Sequence, residues 1–578
     1  MDKRNIIEVL NNIGIMLELK GESFFKSKAY YDAARTLEFL EEDIGTLVNE
    51  GRLGQIKGFG DALVKKITEL VTSGSLGYYE ELKRSIPQGL LEMLRIPGLG
   101  PKKVKAIYDI LDVTSIGELK YACLENRLLK LPGFGEKTQA RVLEGIENLG
   151  RYAGQYLFPY AYSMAKQLLK SLMESGLAIR CSEGGSIRRR KEIVKDIDIL
   201  ASSDRSVELI ELFTKHPLAS QVIASGDMKS SITLEGGINA DLRVVTDAEY
   251  PYALHHFTGS KEHNTVMRHM AKRKGIKMNE YGLFRDDELV VCGSEEEIFG
   301  VFGMAYIPPE LRENNGEIQA AQQGEIPELI VSGDIKGILH CHSRYSDGAN
   351  SIEEIVRYCI SRGYSYVGIT DHSQGAYYAG GLRSDDIKRQ HEEIDRLRHI
   401  YRDFLVLKGS EVDILPDGGL DYGEDILSMF DFVIASVHSA FKLDEDKMTQ
   451  RIISAIKNRH VTILGHPTGR LLLSREPYRV NMSEVIKAAA QEGVILEINA
   501  NPHRLDLDWR LCKSAKEAGC RFAICPDAHV LSGVEDVEYG VNIARKGWLT
   551  ARDVVNTAPA PEIKRILKSR TQFAQIGC

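Results

Sequence analysis

From residue 335 onward, seven short apolar runs recur with helical patterns between them: GILHCH, YVGITDH, FLVLKGSE, FDFVIASVH, VTILGH, VILEINA and RFAICPDAH. Apolar runs alternating with helices predict a parallel sheet covered on both faces. Most of these runs end on a histidine or a carboxylate. Polar residues recurring at strand C-terminal ends favour a barrel over a doubly wound sheet, because barrel enzymes build their sites there.

The candidate ligands of this half follow from those ends. His340 and His342 share one face of the first strand, and Asp347 follows in the next loop. His372, Glu411, His438 and His466 end the second to fifth strands, and Asp527 and His529 follow the seventh. Of the chain's 15 histidines, ten lie after residue 335, so the two halves should differ in chemistry. Imidazoles mixed with carboxylates suit Zn²⁺, Mn²⁺ or Fe²⁺ better than Mg²⁺. Any one of these histidines alone reads as structural; nine such residues at strand ends do not read as an accident. Arg504, in the loop after the sixth strand, reads as part of a polar surface.

Residues 1–150 carry helical spacing broken by glycine turns. One pattern repeats three times: Ile56-Lys57-Gly58-Phe59-Gly60, Ile96-Pro97-Gly98-Leu99-Gly100 and Leu131-Pro132-Gly133-Phe134-Gly135. Two glycines around an apolar residue make a tight turn with exposed N–H groups, and the next helix adds its positive dipole end. Such a hairpin can hold a phosphate without reading bases. Three copies argue against three ordinary turns, and the pattern resembles the helix-hairpin-helix motif of DNA repair proteins and polymerases.

Between these regions, Asp196 and Asp198 lie two apart in VKDIDIL, which puts both carboxylates on one strand face. Asp241 in NADLR offers a third. Three oxygen donors on neighbouring strands suit two Mg²⁺ or Mn²⁺ ions and a nucleotide's phosphates. Gly184-Gly185-Ser186-Ile187-Arg188-Arg189 precedes them, a Gly-Ser turn followed by arginine.

With this turn, the triad and the segment Phe257-Thr258-Gly259-Ser260, the chain resembles the X family DNA polymerases, polymerase beta among them. The resemblance implies that Asp196, Asp198 and Asp241 hold two metals, with Asp241 assisting deprotonation of the primer 3′-hydroxyl. It implies that Gly185, Ser186 and Arg189 bind the triphosphate and that Phe257 and Gly259 pack on the sugar. Asn264 would touch the incoming base, Arg268 the template, and Tyr281 the region of the nascent pair. Gly58, Gly60, Gly98, Gly100, Gly133 and Gly135 would grip DNA. Lys66 falls where the family can carry a Schiff-base lysine that removes a 5′-deoxyribose phosphate; the companion basic position is Ala62. Two departures are His256, where vertebrate relatives have Tyr, and the third hairpin, which is extra.

The second half is similar to the PHP (polymerase and histidinol phosphatase) domain. That implies a distorted seven-stranded barrel whose three metal ions are held by His340, His342, Asp347, His372, Glu411, His438, His466, Asp527 and His529. Asp371, which is not among the family's ligands, is expected to orient the neighbouring His372. The implied chemistry is phosphate-ester hydrolysis: a 3′→5′ exonuclease, with abasic-site cleavage a further option.

The expected fold is multidomain α/β. It runs from a lyase-like helical domain (1–90) and a fingers-like domain with two hairpins (91–150) to a nucleotidyltransferase palm (151–245) and a thumb-like domain (246–313). A polar linker (314–334) and the PHP barrel (335–578) complete it. The expected function is a DNA polymerase filling short gaps in repair, acting on gapped or primer–template DNA with dNTPs. Rival readings are a phosphoesterase on a DNA-binding scaffold with an inactive palm, a non-catalytic DNA-end binding module, and an RNA-directed nucleotidyltransferase. The net charge of −8, split evenly between the halves, excludes a globally basic coat. No apolar run is long enough to span a membrane. Nine cysteines without a C-x-x-C fit a reducing, cytoplasmic setting. A monomer is expected.

Overall fold

The computed structural model describes residues 3–573 except 39, 41, 57, 125–126, 152–153, 377–378 and 474. Lys57 of the first hairpin therefore lies outside the described residues. The chain divides into two compact units, residues 1–153 and 154–578.

The first unit is helical. Helices α1 (Lys3–Leu19) and α2 (Phe24–Glu38) pack through Ile6, Leu10, Ile13 and Leu37. Each glycine hairpin then leads into a helix: α3 (Asp61–Ser73), α4 (Pro101–Leu111) and α5 (Glu136–Arg151). The three hairpins share one geometry. The apolar residue's N–H bonds back three residues, Phe59 to Ile56, Leu99 to Ile96 and Phe134 to Leu131, at 3.0–3.1 Å. Its side chain is buried in each case. The first glycine is left-handed, with φ of 95°, 88° and 80° at Gly58, Gly98 and Gly133, which is what excludes a side chain there.

The second unit opens with α6 (Phe158–Glu174) against a five-stranded sheet. Its strands are β1 (Arg180–Glu183), β2 (Asp196–Ser202), β3 (Ala219–Ser225), β4 (Lys229–Leu234) and β5 (Asn239–Val245), in the order β1-β2-β5-β4-β3. Only β2 and β5 run parallel. Alternation decides which face is which: Ile197 and Ile199 join the core with Ala165 and Leu168 of α6, leaving the aspartates to the other face. Next come α7 (Tyr250–Thr258), α8 (Lys261–Arg273) and a three-stranded antiparallel sheet of β6 (Ile276–Asn279), β7 (Gly282–Arg285) and β8 (Glu288–Leu289).

The polar stretch 314–334 is packed structure. It carries the short helix α9 (Glu317–Gln323), and Ile318, Ala321, Leu329 and Ile330 are buried. Glu317, a residue type usually found in solvent, is buried 2.7 Å from Nδ1 of His263.

Seven parallel strands follow in sequential order: β9 (Gly337–Cys341), β10 (Tyr366–Ile369), β11 (Leu405–Asp413), β12 (Phe432–Ser436), β13 (Val461–Leu464), β14 (Ile495–Asn499) and β15 (Phe522–Cys525). A bridge from Cys341 to Ala528 brings the first strand beside the exit of the last. The result is a nearly closed barrel, with helices such as α10 (Val537–Lys546) outside it. Six of the seven strands are buried at every residue, as expected of a sheet covered on both faces. Leu339, Leu407, Ile434, Ile463 and Ile495 pack together with Ile563 and Leu567 of the C-terminal helix. Among the described residues, no helix is long and apolar enough to cross a membrane.

Candidate active sites

The barrel gathers all nine of its candidate ligands at the strand ends. Nε2 of His342 is 3.1 Å from Asp527 Oδ1, and Nε2 of His340 is 3.5 Å from both Asp527 and Glu411. Glu411 also receives His372 at 3.0 Å, His466 at 3.0 Å and His438 at 3.3 Å. Asp347 lies 3.4 Å from His529 and 3.6 Å from His372. Three groups have donor atoms converging closely enough to hold an ion: His342, Asp347, His372 and His529; His340, His342 and Asp527; and His372, Glu411 and His438.

This donor set fits metals for reasons visible in the protein alone. His340 Nε2 and His342 Nδ1 are buried without a hydrogen-bond partner, a costly state unless something else binds there. The ring of His342 stacks between His372 at 4.4 Å and His529 at 4.2 Å. Burial, with His529 beside it, pushes His342 down to about 3, which keeps its ring neutral and free to ligate. His466 and Asp527 have φ of 23° and 52°, strained values that aim their side chains inward.

Other residues set the ligands' directions. Glu497 of β14 lies 2.6 Å from His340 Nδ1 and accepts the His466 N–H at 2.5 Å. Asp413 of β11 lies 2.7 Å from His438 Nδ1, and the Asn499 amide donates to Asp527 at 3.1 Å. Asp371 plays a different part from the orienting role expected of it. Its carboxylate takes up Ser343, Ser346 and Gln390, so it shapes the loop that carries Asp347. Arg504 also departs from expectation. It is largely buried, with Nε 3.5 Å from Asp527 Oδ2, and so faces the ligands and not the solvent.

In the five-stranded sheet, Asp198 of β2 pairs in register with Asp241 of β5, and Asp196 with Asn239. A small pocket is lined by Gly184, Asp198, Asp241, Arg243 and Phe257. Burial, then Asp196 and Asp241, raise the Asp198 carboxyl to about 6. Burial and Asp241 likewise raise Asp196. Carboxylates crowded this way suit divalent cations. Gly185 lies so close to Asp198 that an added Cβ would collide with its carboxylate, and Ser186 follows half-buried in the same turn. Gly259 is in contact with Asn264, whose amide donates to His256 O at 2.7 Å and Gly259 O at 3.2 Å. That side chain therefore fixes the turn carrying Phe257. Arg189 donates from Nε to Glu313 at 3.0 Å and from an η nitrogen to Thr258 O at 2.8 Å. Arg268 is exposed on α8, and Tyr281 is 55% exposed between β6 and β7.

Lys66 belongs to the first unit. Its ammonium bonds the Tyr30 hydroxyl and lies 3.7 Å from the centre of the Tyr78 ring. Ala62 is exposed.

Comparison with known proteins agrees with this layout. A helix-hairpin-helix domain matches residues 1–76, a SAM-like helix-hairpin-helix tandem 90–148, a DNA polymerase beta thumb 253–313 and a PHP domain 339–501. The DNA polymerase/3′-5′ exonuclease PolX of Bacillus subtilis (strain 168) is 39% identical over 572 residues, covering 98% of this chain and 100% of that protein. The chain belongs to the X family DNA polymerases. This family member is also similar to a probable phosphatase of Thermoanaerobacter sp. (strain X514), 32% identical over 248 residues, 40% of this chain and 94% of that protein. A crystal structure of Leishmania infantum polymerase beta, a ternary P/T complex, matches 39% of this chain and 99% of its own, at 22% identity and a TM-score of 0.26.

Three residues of the polymerase half had no role in the sequence reading. Arg243 lies 4.4 Å from the Phe257 ring centre, Lys229 lies 3.3 Å from Asp241, and Glu313 holds Arg189. Arg243 had a signal: it stands two residues after Asp241 and so shares its strand face. Lys229 and Glu313 had none, because their partners are far along the chain.

Proposed function

We propose that this polymerase extends primers on gapped DNA in its palm and removes 3′-terminal nucleotides in its barrel. The observation that carries the reading is that one compact unit holds two sites of different donor chemistry. The palm offers only carboxylates, suited to two Mg²⁺ or Mn²⁺ ions; the barrel offers imidazoles with carboxylates, suited to three ions drawn from Zn²⁺, Mn²⁺ and Fe²⁺. Bound ions supply charge neutralisation at the phosphates and activation of water or hydroxyl.

The chain's own residues do the rest. Asp241 takes the proton of the primer 3′-hydroxyl. Ser186 and Arg189 hold the triphosphate, Phe257 and Gly259 flank its sugar, and Asn264 keeps that turn in place. Arg268 and Tyr281 meet the template side. In the barrel, Glu497 and Asp413 fix the rings of His340 and His438, and Arg504 lies where a scissile phosphate would enter. The glycine hairpins grip the duplex through backbone N–H groups. We place this activity in short-gap repair by a cytoplasmic monomer, with abasic-site cleavage a further use of the barrel. The half-buried Lys66 supports a lyase step as well, since burial lowers its pKa and favours the nucleophilic amine.

The test is a labelled primer on gapped duplex with Mn²⁺, with and without dNTPs. Extension with dNTPs and shortening without them are expected. Asp241→Ala should cut extension on the order of a thousandfold and spare shortening; His342→Ala should do the reverse. Shortening alone from the wild type would reduce the palm to a scaffold. Hydrolysis of small phosphate esters with neither DNA activity would favour the probable-phosphatase likeness.

A further inference from the structure

The barrel half reaches into the polymerase half with a buried cation. Lys546, the last residue of α10, is fully buried, with its ammonium 4.6 Å from the Trp509 ring centre. It donates to Arg189 O at 2.9 Å, Glu310 O at 3.2 Å and Glu313 Oε1 at 2.9 Å. Those three bonds use every donor an ammonium has. The same Glu313 oxygen receives Nε of Arg189 at 3.0 Å. One carboxylate therefore serves two cations, one from each half.

This sharing has a consequence for nucleotide addition. Arg189 follows the Gly-Ser turn beside Asp198 and is held by Glu313 and Thr258 O. A triphosphate offers a guanidinium a stronger, bidentate partner. To take it, Arg189 must leave Glu313, and a buried carboxylate stripped of its cation is a costly state. Lys546 removes that obstacle, because Glu313 still has a counter-ion after Arg189 departs.

We propose that Lys546 is a positioning residue for DNA synthesis: it keeps Glu313 paired so that Arg189 can turn to the incoming triphosphate. The proposal rests on Arg189 being a triphosphate-binding residue. It makes nucleotide affinity in the palm depend on a side chain of the PHP half that touches neither substrate.

The experiment uses the full-length chain on gapped duplex DNA, with steady-state titration of one dNTP and exonuclease rate as an internal control. Lys546→Met should raise the KM for dNTP about tenfold while changing kcat less, with shortening of the primer unchanged. Glu313→Gln leaves no charge to strand, so its KM should equal or fall below that of the wild type. The double variant should return KM close to the wild-type value. A merely structural role for Lys546 would not be rescued by removing a second buried partner.

Arg189→Ala separates the two levels of the argument. If it leaves the dNTP KM unchanged, the triphosphate role of Arg189 is wrong. If it raises KM while Lys546→Met, with intact exonuclease, stays within about twofold, the coupling is wrong. Should Lys546→Met lose both activities, Glu313→Gln decides: a raised KM there overturns the proposal, and an equal or lower one upholds it.

Discussion

Oε1 of Glu497 lies 2.6 Å from Nδ1 of His340, and its second oxygen takes the backbone N–H of His466. One carboxylate on β14 thus fixes a ring on β9 and the backbone of another ligand. The contact selects the tautomer that leaves the His340 Nε2 lone pair free to ligate an ion on the side of Asp527 and Glu411. Glu497→Gln should reduce exonuclease activity by about 10- to 100-fold and shift the Mn²⁺ dependence to higher concentration, with primer extension unaffected. Rates measured across a Mn²⁺ series check this; an unshifted midpoint would refute the orienting role.

Lys66 provides a pH test. Burial lowers its pKa, so the neutral amine becomes available at lower pH than for an ordinary lysine. Borohydride trapping on DNA with a 5′-deoxyribose phosphate should give a covalent adduct. Its yield should rise with pH and level off below the usual lysine value of 10.5. Lys66→Arg should abolish it. An adduct that persists in that variant would assign the chemistry elsewhere.

Glu295 should govern part of the acid stability. Burial pushes its carboxyl up, but Arg312 and Arg188 outweigh burial and hold it at about 2, below the ordinary 4.5. A depressed folded pKa stabilises above the unfolded value and loses that contribution as pH falls through the folded one. The difference corresponds to about 3 kcal/mol at neutral pH. Glu295→Gln should therefore melt several degrees below wild type at pH 7, and the gap should close as pH falls from 4.5 toward 2. Thermal melts of both proteins across that range decide it.

Two glycines of one hairpin should behave oppositely. Gly98 has φ of 88°, so Gly98→Ala should destabilise the helical unit by about 1–2 kcal/mol. Gly100 has φ of −83°, and an added Cβ there meets nothing within 4 Å. Gly100→Ala should leave stability within about 1 kcal/mol and still weaken DNA binding, because its methyl would stand where a phosphate approaches. Melting curves and fluorescence anisotropy on gapped DNA separate the two effects.

Legibility in the sequence followed range of interaction. The nine barrel positions were readable because each polar residue ends or follows an apolar run, and strand ends in a parallel barrel converge. Alternation alone put Asp196 and Asp198 on one strand face and offered Asp241 as a third carboxylate; the pairing of Asp198 with Asp241 depends on which strands are neighbours. Glu497 and Asp413 were missed because they sit inside strands counted as apolar, although a carboxylate in a strand with no solvent face has to have a partner. Arg504 was misread because its loop is polar by composition, while its direction depends on Asp527. The stretch 314–334 was read as a linker because its few apolar residues show no period; Ile318 and Leu329 are buried by surfaces supplied from elsewhere. Lys546 and Glu313, 233 residues apart, leave no local trace at all.

Four side chains of the barrel half finish structures that belong to the polymerase half. Arg510 pairs with Glu192, Arg545 with Glu310, Lys546 with Glu313, and Tyr539 packs edge-on against Phe158. A fragment ending before the barrel would keep all three glutamates and lose all three cations. Such a truncated polymerase would carry a raw acidic face behind its nucleotide turn, so its kinetics would describe a different protein. The two activities of this chain are better separated by point substitution than by scissors.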